Sequence, residues 1–139
     1  MKRIIECVPN FSEGINADVI AAVANAISAV SGVKLLNVDP GRDANRTVIT
    51  FAGEPKAVVE AAFQAIKTAG ELIDMRTQKG EHPRMGATDV CPLVPVKGVT
   101  MHEVVEYASQ LAKRVGNELQ IPVYLYEYSQ PDKQRSNLS

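Results

Sequence analysis

Apolar residues along this chain switch between an alternating spacing and a helical one, and the switches lay out the elements. Residues 3–9 carry Ile4, Ile5 and Val8 and read as a first strand. In residues 16–30, Ile20, Val23, Ile27 and Val30 recur at helical spacing, and Ser31-Gly32 ends that helix. Residues 33–38 form a second strand and 47–52 a third. Between them, Asp39-Pro40-Gly41-Arg42-Asp43-Ala44-Asn45-Arg46 reads as a turn-rich loop. Pro55 opens a second helix, where its missing N–H costs nothing. Val59, Ala62, Phe63, Ile66 and Ile73 give that helix its apolar stripe. Residues 90–96, Val-Cys-Pro-Leu-Val-Pro-Val, predict a fourth strand. Thr100-Met101-His102-Glu103 is a capping box for a third helix, with Val104, Ala108, Leu111, Val115 and Leu119 facing inward. Residues 121–126 predict a fifth strand. The polar stretch 129–139 reads as a fraying tail, which leaves 1–128 as one domain.

The element order is β-α-β-β-α-β followed by α-β. Its first six members match the ferredoxin-like split βαβ sandwich, an α/β (α+β) class, here extended by an extra helix and strand. That topology has spatial strand order 4-1-3-2, with all neighbours antiparallel. Three loops should therefore meet at one rim of the sheet: residues 10–14, residues 39–46, and residues 80–89. The connections at the opposite rim, such as Ser31-Gly32 and Lys97-Gly98-Val99, are plain.

Composition narrows the classes. The 139 residues are 45% hydrophobic and 22% charged, values of an ordinary globular domain with a core of its own. A net charge of −1 implies neither a nucleic-acid partner nor an acidic membrane surface. No run reaches membrane-spanning length, and Met1-Lys2-Arg3 leads directly into a strand pattern, so a cytoplasmic chain is expected. Cys7 and Cys91 lie in apolar runs and read as reduced, buried small hydrophobes. Two cysteines without CxxC spacing and two distant histidines make no metal site.

The candidate chemistry gathers on the rim. His82 stands in Gly80-Glu81-His82-Pro83-Arg84-Met85-Gly86-Ala87, between glycines and beside a proline that fixes one backbone angle. An imidazole on such a loop suits general acid–base work near neutral pH. Asp39 could stabilise a protonated ligand or orient the imidazole, though Asp-Pro-Gly is also an ordinary turn. Arg46 and Arg84 suit carboxylates through paired hydrogen bonds, or else surface ion pairs. Asn10 and Ser12 could orient a polar ligand beside exposed backbone N–H groups, or cap a helix. Gly86 completes the set of substrate-binding candidates. Tyr124, Tyr126 and Tyr128 alternate on one strand face and read as packing or interface.

Four stretches together resemble glutamate formimidoyltransferase, in the N-terminal subdomain of its transferase domain, found also in formimidoyltransferase-cyclodeaminase. They are Glu6-Cys7-Val8-Pro9-Asn10-Phe11-Ser12-Glu13-Gly14; Asp39-Pro40-Gly41 with Asn45-Arg46-Thr47-Val48; residues 80–87 with Asp89-Val90-Cys91-Pro92; and Pro122-Val123-Tyr124-Leu125-Tyr126. The resemblance covers nearly the whole chain. It implies transfer of a formimino group from N-formimino-L-glutamate to tetrahydrofolate as co-substrate, with His82 as the catalytic histidine. It also implies a second subdomain of similar fold carrying much of the folate site, to be supplied by a partner or replaced by self-association. Gln78 stands where the family commonly has a second histidine, and glutamine exchanges no proton near pH 7. A non-catalytic folate-binding or assembly module is the alternative reading.

Overall fold

The computed structural model describes residues 2–73 and 87–121. The segment with Gln78, His82, Arg84 and Gly86, the expected fifth strand beyond Ile121, its tyrosines and the tail lie outside the described residues.

The elements run β1 (Ile4–Cys7), β2 (Asn10–Phe11), α1 (Ala17–Ser28), β3 (Val33–Gly41), β4 (Arg46–Gly53), α2 (Pro55–Leu72), β5 (Thr88–Val90), β6 (Leu93–Lys97) and α3 (Met101–Glu118). Antiparallel pairing joins β5 to β2, β2 to β4, β4 to β1 and β1 to β6, with β3 along the outer side of β4. β1 and β2 are two parts of one strand, as are β5 and β6. The order then reduces to 4-1-3-2, the α+β arrangement that the element pattern predicts.

The two breaks have one cause. Each falls at a proline, Pro9 in the first strand and Pro92 in the fourth, and proline has no N–H for the ladder. The strands stay together around them: Val8 N–H donates to the Pro92 carbonyl at 3.1 Å, and Ile49 N–H donates to the Pro9 carbonyl at 3.1 Å.

The second strand departs from the sequence reading. Asp39, Pro40 and Gly41 are not loop residues; they continue β3, opposite Val48, Thr47 and Arg46. Pro40 is tolerated because, among the described residues, β3 pairs only with β4, so one of its edges needs no donors. The true turn is Arg42–Asn45, half the length expected.

One sheet face is covered by three helices. Ile5, Cys7, Phe11, Ile49 and Phe51 point into a core completed by Val23 and Ile27 of α1, Val58, Ala62, Phe63 and Ile66 of α2, and Val104, Leu111 and Val115 of α3. α2 lies between α1 and α3 and has the longest buried stripe. Asn16 caps α1 by accepting from Asp18 N–H and Val19 N–H. The Thr100–Glu103 capping box of α3 is present in both directions. Arg3 pins this helix start to β1 through Glu103 at 2.7 Å.

Candidate functional site

At the rim the chain leaves β2 and turns toward α1 through Ser12, Glu13 and Gly14, all buried. Side chains from the β3–β4 hairpin hold this loop. Gly14 N–H donates to Asn45 Oδ1 at 2.8 Å, and the Thr47 hydroxyl donates to the Glu13 carbonyl. Ser12 N–H donates to the Ala87 carbonyl at 2.8 Å, which ties in the residue entering β5. The Glu13 carboxylate accepts from Ile15 N–H at 3.1 Å and Asn16 N–H at 2.9 Å, just before α1, where the helix dipole favours a negative charge.

Two residue types make this arrangement possible. Asn45 sits at φ 53°, a left-handed conformation that asparagine tolerates better than most side chains. Gly14 is packed so closely on the hairpin that a Cβ there would lie 2.6 Å from Arg46 N and 2.7 Å from Arg46 O. The expected meeting of rim loops is therefore present for residues 12–14, the 42–45 turn and Ala87. The third loop's His82 lies outside the described residues.

The sheet face opposite the helices carries the candidate ligand contacts. Alternation along the strands puts Glu6, Asn10, Val48 and Thr50 on that face. Asn10 and Asp39 are both register partners of Val48, one from each side. Their backbones are two strand spacings apart, about 10 Å. Arg46 lies two residues beyond Val48 on the same face, about 7 Å along β4. Asn10 and Arg46 are half-buried and Asp39 is exposed. Three polar groups of different chemistry thus surround Val48 at the rim end of the open face. Farther from the rim the face carries Val94, Glu6, Ala52 and Lys34 across four neighbouring strands.

Ser12 is placed differently from Asn10. It is only 1% exposed and lies beneath the loop surface. The helix-capping role is filled by Asn16, not Ser12. Arg84 and Gly86 lie outside the described residues.

Sequence reasoning passed over Glu13, Asn45, Thr47 and Thr88. The first three are buried polar residues that build the rim. The Thr88 hydroxyl, beside Phe11 in the β2–β5 pairing, is a buried polar atom with no hydrogen-bond partner among the described residues. A left-handed asparagine before a strand is the one signal a sequence could offer, since Asn is among the few residues that favour that conformation. Among the described residues, no cluster of His, Cys, Asp and Glu could hold a metal, and no helix is long and apolar enough to cross a membrane.

Burial, then the neighbouring Cys91, pushes the Cys7 thiol well up. Hydrogen bonds from Gln64 and Arg114 hold Glu60 below the usual carboxylate range, and the same contacts with Glu60 raise Arg114. Arg114 also stacks 3.8 Å from the Phe63 ring centre, clamping α3 onto α2.

Residues 4–139 match the family model described as the formiminotransferase domain, N-terminal subdomain. The chain is 57% identical over 126 residues to formimidoyltransferase-cyclodeaminase of Rattus norvegicus, covering 91% of this chain and 23% of that protein. It is 48% identical over 139 residues to glutamate formimidoyltransferase of Streptococcus pyogenes serotype M1, covering all of this chain and 46% of that protein. A protein of the same name from Thermoplasma acidophilum is 48% identical over 136 residues, 98% of this chain and 45% of its own length. The chain thus spans under half of the proteins named glutamate formimidoyltransferase, and about a quarter of the bifunctional one.

Proposed function

We propose, since this chain belongs to the family of the formiminotransferase N-terminal subdomain, that it is the catalytic half of a glutamate formimidoyltransferase. The reaction moves a formimino group from N-formimino-L-glutamate to tetrahydrofolate. The observation that carries this reading is the gathering of Asn10, Asp39 and Arg46 around Val48 on the open face of a chain from this family.

The chemistry asks for such groups. The N5 amine of tetrahydrofolate attacks the amidine carbon, and collapse of the tetrahedral intermediate expels the glutamate amine. One proton leaves the attacking nitrogen and one reaches the departing nitrogen. His82 is assigned both transfers, because an imidazole titrates near the working pH. Asp39 is assigned the protonated amidine or the imidazole. Arg46 and Arg84 are assigned substrate carboxylates through forked hydrogen bonds. Asn10 and Gly86 are assigned ligand orientation. The proposal includes a cytoplasmic location, where thiols stay reduced.

A second covering layer belongs to the same proposal. Leu36, Val94 and Val96 are large exposed apolar residues, at 48%, 42% and 57%, and Val94 lies opposite Glu6 on the open face. A partner subdomain or a second copy of the chain would remove them from water. Light scattering of the 139-residue chain should show a concentration-dependent dimer. A monomer at high concentration refutes self-association.

The direct test supplies tetrahydrofolate and N-formimino-L-glutamate to the chain together with a complementing C-terminal subdomain. His82→Asn should lower turnover about 10²–10⁴-fold, with KM changed far less. Full activity in the variant removes His82 from the mechanism. Folate binding without turnover in the complete system favours an assembly module instead.

A further inference from the structure

Cys7 Sγ and Cys91 Sγ lie 3.5 Å apart, and both are free thiols. They come from different strands, 84 residues apart in sequence. Cys7 is fully buried under the helices at the end of β1. Cys91 is half-buried and stands between β5 and β6, next to Pro92, where the ladder is interrupted. Cys7 is in register with Leu93, and Asn10 with Val90, so the same register runs past the break on both sides.

We propose that Cys7 and Cys91 form a peroxide-responsive dithiol, a modification site that closes reversibly to an intramolecular disulfide. Three features support it. A disulfide bond is about 2.05 Å long, so the sulfurs need approach by only about 1.5 Å. Cys91 belongs to neither β5 nor β6, so its backbone can shift without breaking strand pairs of its own. The two thiols also differ in access, which orders the chemistry.

Cys91 is the residue a small oxidant reaches. Its thiolate attacks a peroxide oxygen; the S–O bond forms, the O–O bond breaks, and the departing hydroxide takes up the proton that Cys91 released on ionising, becoming water. Cys91 is now a sulfenic acid, oxidised by two electrons while the peroxide is reduced. The Cys7 sulfur then attacks Cys91 Sγ. The S–S bond forms, the S–O bond breaks, and the second hydroxide leaves as water with the Cys7 proton. In sum, two thiols and one hydrogen peroxide give one disulfide and two waters. Burial disfavours the Cys7 thiolate, so Cys7 is the resolving and not the initiating thiol.

The test uses the full chain, reduced, desalted and treated with hydrogen peroxide. The intact mass should fall by about 2 Da, the two thiol hydrogens. Maleimide should then label neither cysteine in denaturant. Non-reducing peptide mapping should give one cross-linked pair containing Cys7 and Cys91, and dithiothreitol should restore both thiols. Cys91→Ser should abolish the mass loss and leave Cys7 open to alkylation after unfolding. Cys7→Ala should leave Cys91 without its resolving partner, so the mass should rise by about 16 or 32 Da, one or two oxygens. If Cys7→Ala fails to fold, Cys91→Ser still decides. The proposal is overturned if oxidised native chain gains oxygen with Cys7 still alkylatable, if cross-links join two chains through Cys91, if both thiols survive the peroxide, or if Cys7 in the Cys91→Ser chain oxidises as fast as in the native one.

Discussion

Replacing Asn45 with alanine should destabilise the chain by about 2–5 kcal/mol, the sum of two separable costs. Asn45 Oδ1 is the acceptor for the buried Gly14 N–H at 2.8 Å. Removing it leaves a buried donor unsatisfied, which costs about 1–3 kcal/mol. Asn45 also holds φ 53°, where an alanine Cβ is crowded by the following carbonyl, at about 1–2 kcal/mol. Asn45→Gly separates the two, because glycine accepts the conformation but offers no acceptor. It should lose only the hydrogen-bond share, about 1–3 kcal/mol. Asn45→Asp keeps an acceptor and should lie closest to the native chain. Urea unfolding followed by circular dichroism reads all three. With a slope of about 2 kcal/mol/M, the alanine variant should lower the midpoint by about 1–2.5 M, at unchanged slope. An alanine variant within about 0.5 kcal/mol of native would refute the claim that this side chain holds the rim. A glycine variant as unstable as alanine would refute the backbone share alone.

Two glycines give predictions of opposite sign. At Gly53, a Cβ would run into the Gly32 carbonyl and lie 3.1 Å from Val33 Cα, all of it backbone, so Gly53→Ala should cost about 1–3 kcal/mol. At Gly70 in α2, the nearest atom is Ile121 Cδ1 at 3.9 Å, so Gly70→Ala should stabilise by about 0.5–1 kcal/mol. Thermal melts check both, and equal shifts in one direction would contradict the packing at Gly53. The acid limb should depend on Glu60 and Glu103, both held below the usual carboxylate range, the first by Gln64 and then Arg114, the second first by the Thr100 N–H. A lowered folded-state pKa contributes stability present above the unfolded value of about 4.3, lost as pH falls through the folded value. Tm should therefore drop as pH falls below about 4.3, less steeply in Glu60→Gln, and an unchanged slope in that variant would exclude Glu60.

The fold was legible because its instructions are periodic. Ile20, Val23 and Ile27 mark α1 at helical spacing, and Thr100 with Glu103 states where α3 begins. Strand ends were harder, since a strand stops where pairing stops, and pairing depends on another segment. Asp39-Pro40-Gly41 has the composition of a turn, yet β4 offers Val48, Thr47 and Arg46 as partners and the strand continues. Pro40 would end a central strand, but among the described residues β3 has β4 as its one neighbour, which lets the pairing run on. Pro9 and Pro92 show the converse. Each lies inside an apolar run that reads as one strand, and each interrupts the ladder for want of an N–H.

The candidate site was legible to the extent that topology alone fixes it. Strand polarity in the split βαβ unit brings residues 12–14, the hairpin turn and Ala87 together, and the hydrogen bonds among them are present. What topology does not fix is which side chains bear on a ligand and which bear on the loop. Asn10 and Ser12 are two residues apart and looked equivalent as strand-to-loop polar groups. Asn10 lies on the open face in register with Val48, whereas Ser12 is covered, in a loop whose Gly14 packs closely on the hairpin. Asn45 and Thr47 carry the opposite lesson. Their polarity suggests ligand contact, but both spend a hydrogen bond on the loop. The groups that shape this rim are thus buried and satisfied, while Asp39 stays exposed and Asn10 and Arg46 only half-buried. A rim braced from beneath holds Asn10, Asp39 and Arg46 in fixed relation before any ligand arrives, so binding need not also order the loop.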